Sequence, residues 1–160
     1  MAKAAQHVPP GYGTLTVHLT VSPCADYIDF LKRAFNAVEI NRSPGPGGKL
    51  MHANVKIGDT IMMLNDHVPE MGMPPIAQGY WPLRLSLYVP DADATWKQAL
   101  AHGCQVVFPL QDQFWGDRYG QLRDPYGFVW AVATHVEDLT LEEMQQRGAA
   151  AMAAMGGGKA

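Results

Sequence analysis

The sequence is poor in cysteine, in charge and in long apolar runs, and each shortage removes a class of protein. Its two cysteines, Cys24 and Cys104, match neither a disulfide framework nor a metal-binding pair. No apolar run reaches the roughly 18 residues that span a bilayer, and residues 1–10 lack the apolar core of a secretion signal. We therefore expect a cytoplasmic protein with reduced thiols and no membrane partner.

The chain also lacks a basic surplus. Its net charge is −3, which gives no electrostatic footprint for nucleic acid. Charged residues make up 17% and hydrophobic residues 48% of the chain, which is typical of a globular protein rather than a disordered one. The length of 160 residues fits one domain, or two small halves that share a core.

Familiar catalytic motifs are missing as well. No Ser or Cys lies in a nucleophile elbow, and no Gly-rich phosphate loop follows a strand. Cys24 lies at the predicted start of a helix, where a thiolate is favoured, but no His is near it in sequence. We expect a structural role for this thiol.

Regular patterning begins after a lead-in of residues 1–12. Residues 14–21 alternate between apolar and polar side chains, which predicts a strand with one face toward a core. The apolar side chains of this strand are Leu15, Val17, Leu19 and Val21, and the polar ones are Thr14, Thr16, His18 and Thr20.

A helix and three strands complete the first half. Ser22 as N-cap and Pro23 in the first turn predict a helix over residues 24–36, because apolar side chains recur there at helical spacing. A Pro/Gly cluster at 43–48 predicts a loop. The predicted strands are 38–42, which is weak, 50–57 and 60–64.

The same order of elements recurs after a Pro-, Gly- and Met-rich connection over residues 66–82. Residues 83–89 again alternate, with Leu83, Leu85, Leu87 and Val89 opposite Arg84, Ser86 and Tyr88. A helix from Asp91 to His102 follows, and Gly103 ends it. We predict that Trp96, Ala99 and Leu100 form its inner stripe. Later elements are a strand at 104–110, a loop at 112–120, and strands at 121–123 and 128–133 around an Asp124–Gly127 turn.

A constant offset relates the two halves. Val21 and Val89 lie 68 residues apart, and so do Met63 and Ala131. Such a period indicates an internal duplication. We predict an α+β fold of two βαβββ modules over residues 13–65 and 83–135, followed by a C-terminal segment over 139–160. In that segment Thr140 and Glu143 form a capping box for a helix, which leads into an Ala/Met/Gly tail.

These features resemble a known family. Two βαβββ units, the loop Phe114-Trp-Gly-Asp-Arg-Tyr-Gly120, the turn at 124–127 and the closing Ala-Thr-His-Val-Glu-Asp at 133–138 are similar to the vicinal oxygen chelate superfamily. That superfamily includes glyoxalase I, extradiol dioxygenases and bleomycin-resistance proteins. The resemblance covers about residues 13–138 and lies nearest to bacterial glyoxalase-like proteins. It implies curled sheets around a cleft and a homodimer.

The resemblance also implies where a metal ion would be held. Family enzymes bind a divalent ion with His, Glu or Gln side chains on the first and last strands of each module. Those places fall on Thr16, Met63, Arg84 and Ala131, which supply no carboxylate and no imidazole. We therefore expect no metal ligands and no cofactor.

Strand alternation instead predicts a ligand pocket. The candidate ligand-binding residues are Thr16, His18, Met63, Arg84, Ser86, Tyr88, Trp115 and Ala131. A fixed cation, Arg84, and a titratable imidazole, His18, favour an anionic or oxygen-rich small molecule. The alternatives are that Arg84 pairs with an internal carboxylate such as Asp117, and that His18 is a hydrogen-bonded core residue.

The loop around Trp115 has two interpretations. Its aromatic side chains could stack on a ligand at the cleft mouth. Alternatively, Asp117 and Arg118 form a structural pair that fixes the loop, while Trp115 fills core, and this alternative is favoured because such turns must satisfy their own backbone. Trp81 and Trp96 are expected to be packing residues.

Three functions are consistent with these expectations. The first is a metal-free binding protein of the sequestering or resistance type. The second is an enzyme, either a glyoxalase-like lyase or isomerase or an extradiol-type dioxygenase. The third is metal-free acid–base catalysis by His18, with Arg84 stabilising the negative charge that develops.

Overall fold

The structure is a computed structural model that describes residues 6–73 and 82–156. The chain divides into two compact units, of which the first ends at Gly79 and the second begins at Tyr80. Trp81 and the end of the tail, residues 157–160, lie outside the described residues, so the predictions for them stay predictions.

The first unit is a four-stranded mixed sheet with one helix. Its elements are β1 (His18–Thr20), α1 (Cys24–Phe35), β2 (Val38–Pro44), β3 (Leu50–Ile57) and β4 (Thr60–Asn65). The strand order is β1-β4-β3-β2, in which β1 runs parallel to β4 and the other pairs are antiparallel. Two 3₁₀ turns, Pro46–Gly48 and Pro69–Met71, flank the sheet.

The second unit repeats this topology. Its elements are β5 (Arg84–Tyr88), α2 (Ala92–Ala101), β6 (Gln105–Asp112), β7 (Asp117–Arg123), β8 (Val129–His135) and α3 (Leu141–Gly156). The strand order β5-β8-β7-β6 matches that of the first unit, and β5 is parallel to β8. The predicted α+β fold with two βαβββ modules is confirmed.

The predicted 68-residue offset recurs in the strand pairing. His18 lies opposite Met63 in the first sheet, and Ser86 lies opposite Ala131 in the second. Both members of the second pair are displaced by the same 68 positions. The two parallel pairs therefore share one register, as a duplication requires.

Equivalent side chains also hold the start of each helix. Asp66 Oδ1 accepts a hydrogen bond from the Cys24 N–H at 3.0 Å, and Thr134 Oγ1 accepts one from the Ala92 N–H at 2.8 Å. The prediction that Ser22 is the N-cap is wrong, because its hydroxyl donates to Asp66 Oδ1 at 2.8 Å instead. A side chain at or just after the end of the last strand of each module accepts the first helical N–H in both units.

Each core lies between one face of a sheet and its helix. Fully buried side chains include Tyr27, Ile28, Leu31, Val55 and Leu64 in the first unit, and Leu122 and Val132 in the second. On β7 a Cβ at Gly120 would lie 2.6 Å from the Trp96 ring, so this glycine lets α2 approach the sheet closely. Trp96 is thus a packing residue, as predicted.

Several predicted details are wrong. The first strand begins at His18, because the Thr16 hydroxyl bonds back to Gly13 O and turns the chain, which leaves Leu15 93% exposed. Leu83 and Leu100 are also exposed, so neither belongs to a buried stripe.

The loops are shorter than predicted as well. Ser43 and Pro44 extend β2, because they pair with β3. The loop predicted at 112–120 shrinks to 113–116, because Asp117 pairs with His135 and β7 begins there. The capping box is confirmed, since Thr140 N–H donates to the Glu143 carboxylate at 2.9 Å. No helix within the described ranges is long and apolar enough to cross a membrane.

Candidate functional site

The sheet of the second unit presents a polar face opposite α2. Leu85, Leu122 and Trp130 point toward the helix, and their neighbours along each strand point the other way. The second set comprises Arg84, Ser86 and Tyr88 from β5, Val129, Ala131, Ala133 and His135 from β8, and Asp117, Tyr119, Gln121 and Arg123 from β7. We call this surface the β5 face.

One end of the β5 face is a shallow depression. It has a volume of about 140 Å³ and is lined by Pro82, Leu83, Arg84, Val107, Gln121, Arg123 and Val129. Arg84 donates a hydrogen bond to the Tyr119 hydroxyl at 3.5 Å. Among residues 6–73 and 82–156, neither Arg84 nor Arg123 forms an ion pair. Two guanidinium groups therefore border a concave surface, and no carboxylate in the described part of the chain forms an ion pair with them.

Asp117 organises the other end of the β5 face. Asp117 is 3% exposed, and its carboxylate accepts hydrogen bonds from Tyr88 Oη at 2.8 Å, Trp115 Nε1 at 3.0 Å and His135 Nδ1 at 2.8 Å. His135 Nε2 also lies 3.0 Å from Asp138 Oδ1. The interpretation in which Arg84 pairs with Asp117 is wrong, because other donors occupy both carboxylate oxygens.

These contacts shift three pKa values. Burial alone would raise the pKa of the Asp117 carboxyl, but hydrogen bonds from His135, Tyr88 and Trp115 outweigh burial and lower it. The hydrogen bonds of His135 to Asp117 and Asp138 raise the pKa of its imidazole. The Asp117 hydrogen bond, followed by burial, raises the pKa of Tyr88. Tyr88 is therefore a neutral hydrogen-bonding group near neutral pH.

The loop around Trp115 is fixed by its own side chains. Trp115 donates to Asp117, while the Arg118 guanidinium binds Asp93 of α2 at 2.7 Å and Asp112 at 3.1 Å. The structural role favoured from the sequence is therefore supported, but its partners differ. Asp117 and Arg118 do not pair with each other, because successive strand residues point to opposite faces.

The first unit carries a different polar cluster on the face opposite α1. His18 is exposed and its ring contacts that of His52, with centroids 5.7 Å apart. His52 Nε2 donates to Asn54 Oδ1 at 3.2 Å, and Asn54 Nδ2 donates to Asn41 Oδ1 at 2.9 Å. The alternative that His18 is a core histidine is wrong.

Three further predicted site residues, Met63, Thr16 and Ala131, make no side-chain hydrogen bond to either polar cluster in the described ranges. Met63 is half-buried between His18 and Asn54 in the sheet register. Thr16 precedes β1 and bonds to Gly13 O. Ala131 lies between Ser86 and Gln121 but is 1% exposed.

Sequence reasoning missed His52, Gln121 and Arg123. The signal was present, because His52 and Asn54 alternate with buried Ala53, and Gln121 and Arg123 flank buried Leu122. Period-two alternation along the inner strands β3 and β7 places these side chains on the same faces as His18 and Arg84.

Cys24 is confirmed as a structural residue. Its side chain is buried, and burial followed by the nearby Asp66 raises the pKa of the thiol to about 12. The group is therefore a thiol and a poor nucleophile at neutral pH.

No set of three or more His, Cys, Asp or Glu side chains in the described ranges is arranged to hold a metal ion. Of the four positions that the resemblance assigns to metal ligands, Thr16 lies before β1, and Met63, Arg84 and Ala131 carry a thioether, a guanidinium and a methyl group. This donor set does not fit a divalent cation, which prefers carboxylate, imidazole or thiolate ligands.

Comparison with known proteins identifies one family. The family model described as "Glyoxalase/Bleomycin resistance protein/Dioxygenase superfamily" matches residues 13–132. The uncharacterized protein Mb0911c of Mycobacterium bovis is 44% identical over 148 residues, which cover 90% of this chain and 95% of that protein. The uncharacterized protein Rv0887c of Mycobacterium tuberculosis is also 44% identical over 148 residues, which cover 90% of this chain and 85% of that protein.

Solved structures share the fold. TioX from Micromonospora sp. ML1 superposes with a TM-score of 0.62 at 29% identity and covers 78% of this chain and 100% of its own. FosX, the fosfomycin resistance protein of Listeria monocytogenes solved with Mn(II) and sulfate, gives a TM-score of 0.60 at 17% identity. It covers 83% of this chain and 97% of its own.

Proposed function

Because this chain belongs to the Glyoxalase/Bleomycin resistance protein/Dioxygenase superfamily, we propose that it binds a small anionic molecule on the β5 face without a metal ion. Arg84 and Arg123 hold the anionic group in this proposal, and Gln121 donates a further hydrogen bond. Leu83, Val107 and Val129 contact the apolar part of the molecule. The expectation of a cleft shared by both modules stays a prediction.

One observation carries the proposal. Arg84 and Arg123 line the same depression, and no carboxylate in the described ranges forms an ion pair with either of them. A planar guanidinium recognises carboxylate and phosphate oxygens through paired hydrogen bonds. Two such groups beside apolar side chains are typical of a site for an organic anion.

A second candidate function is acid–base catalysis in the first unit. It is favoured by His18, which is exposed and lies beside His52, a ring that its hydrogen bond to Asn54 orients. His18→Ala separates the two functions. Loss of turnover with unchanged ligand affinity supports catalysis, whereas binding on the β5 face alone predicts that His18→Ala changes neither the affinity nor any turnover.

Calorimetric titration of EDTA-treated protein with phenyl phosphate tests the binding proposal. This probe joins a dianion to one apolar ring. Removal of one charge-assisted partner weakens a complex by about 1.5–3 kcal/mol, so Arg84→Gln and Arg123→Gln should each raise Kd about tenfold or more. Benzyl alcohol, which lacks the anion, should bind too weakly to detect.

Arg33→Gln on α1 is the matched control, because it removes the same charge from the other unit and should leave Kd unchanged. Equal weakening by Arg33→Gln and Arg84→Gln would mean that net charge alone attracts the probe. Wild-type protein that gives no saturable heat up to millimolar phenyl phosphate refutes the proposal.

A further inference from the structure

A larger cavity lies in the first unit, and its lining includes no residue of the histidine cluster. It has a volume of about 560 Å³, and its lining is mostly apolar. One wall is the β2–β3 loop with Met51, and the other is the segment that contains Val68 and the 3₁₀ turn Pro69–Met71. We call it the methionine pocket. Its volume is within the range of about 300–1,000 Å³ for small-molecule sites.

The two walls are joined at their base. Asp66 Oδ2 accepts a hydrogen bond from the Leu50 N–H at 2.7 Å, and the Asp66 N–H donates to Leu50 O at 2.8 Å. These bonds connect the start of β3 to the residue that leads into Val68. The separation of the walls is therefore set by buried backbone contacts rather than by flexible side chains.

A glycine lets one wall form. A Cβ at Gly45 would lie 2.4 Å from Met51 Cγ and 2.7 Å from its Sδ, so Met51 packs directly on the Gly45 backbone. The backbone of Gly45 is extended, with φ −130° and ψ −172°, which any residue adopts. Its lack of a side chain thus matters only for the position of Met51.

The two charged residues that line the methionine pocket, Lys49 and Glu70, form an ion pair with each other. Lys49 Nζ lies 3.5 Å from Glu70 Oε2, and both residues line the cavity. The remaining lining consists of methionine, proline, valine and glycine residues. Such a surface offers no net charge to an ion, whereas methionine thioethers contact aromatic rings favourably and adapt to their shape.

We propose that the methionine pocket binds an uncharged aromatic molecule of one or two fused rings. Its ring contacts Met51 and Met71, and the proline side chains Pro44 and Pro46 cover its edges. This ligand differs in charge from the organic anion proposed for the β5 face, so either proposal can fail alone.

Titration of ¹³C-methyl-methionine-labelled protein with indole, followed by NMR, tests this assignment. Indole should shift the Met51 and Met71 methyl resonances saturably. Met152 on α3 is a control within the same sample, because it is 64% exposed and Met71 is 63% exposed. Indole-3-carboxylate should bind more weakly than indole, because its charge finds no uncompensated partner.

Two variants sharpen the test. Met71→Ala removes apolar contact area and should raise the Kd for indole at least about threefold, whereas Met152→Ala should not change it. Gly45→Ala should displace Met51 and weaken indole binding while the amide spectrum remains that of a folded protein. Indole shifts that do not saturate, or that are equal at Met71 and Met152, overturn the proposal.

Discussion

In this chain a single buried aspartate carboxylate accepts hydrogen bonds from several donors. Asp66, Asp117 and Asp124 are each at most 5% exposed, and each carboxylate accepts at least three hydrogen bonds. Desolvation of a carboxylate costs several kcal/mol unless donors replace its water. Three donors to each group, which are backbone amides, hydroxyls and ring nitrogens, provide that compensation.

Asp117→Asn tests this account at one residue. The amide cannot accept from all of Tyr88, Trp115 and His135, and its NH₂ group faces another donor. We expect the free energy of unfolding to fall by about 2–3 kcal/mol, measured by urea denaturation. Asp138→Asn is the control, since the Asp138 side chain is fully exposed, and it should change stability little. Equal effects of both substitutions would contradict a special role for the buried carboxylate.

His135 supplies a pH dependence at the same site. Asp117 and Asp138 raise the pKa of its imidazole in the folded protein above the usual 6.5. A group whose pKa is higher in the folded than in the unfolded protein stabilises the folded state. This stabilisation is complete below the unfolded pKa, and it is lost as the pH rises through the folded pKa. The stability advantage of wild type over His135→Gln should therefore shrink as the pH rises above about 6.5, the usual pKa of the unfolded imidazole.

Denaturation of both proteins at several pH values, together with NMR titration of the His135 ring, measures this effect. A ring that titrates below 6.5, or an advantage that grows with pH, would show that the two carboxylates do not hold the imidazolium.

At the scale of elements, each βαβββ module fixes its helix through a residue 68 positions from its counterpart. Asp66 and Thr134 both receive the first N–H of their helix. One is a carboxylate and the other a hydroxyl, so the geometry persists while the side chains differ.

Thr134→Val tests this contact without a change in volume. The substitution leaves the Ala92 N–H and the Val89 carbonyl without their side-chain partner, and we expect a loss of about 1–2 kcal/mol in unfolding free energy. Thr134→Ser keeps the hydroxyl and should retain most of the stability. Thermal denaturation of the two variants side by side makes the comparison. A serine variant as unstable as the valine variant would assign the cost to packing instead.

Elements with strong periodicity could be predicted from the sequence. The helix over residues 24–36, the strand over 50–57 and the capping box at Thr140 agree with the structure, because local pattern and tertiary packing favour the same state there. The first strand could not be delimited. Alternation continues back to Leu15, but a hydroxyl bond from Thr16 to Gly13 turns the chain before the sheet begins.

For the whole molecule, the family and the paired modules could be predicted, whereas the arrangement of polar groups could be predicted only in part. The side of the sheet on which Arg84, Ser86 and Tyr88 lie was predicted correctly, because strand alternation determines it. The Asp117 cluster was missed because its members come from three strands and two loops, and no sequence spacing unites Tyr88, Trp115 and His135. The homodimer expected from the resemblance stays a prediction, which light scattering can test.

Affinity for phenyl phosphate, measured on one preparation before and after addition of divalent metal, tests the central claim most directly. EDTA-treated protein should bind the probe, and Mn²⁺, Ni²⁺ or Zn²⁺ should leave the affinity unchanged, because Thr16, Met63, Arg84 and Ala131 offer a cation no suitable ligands. Binding that appears only when one of these metals is present in stoichiometric amount would contradict it.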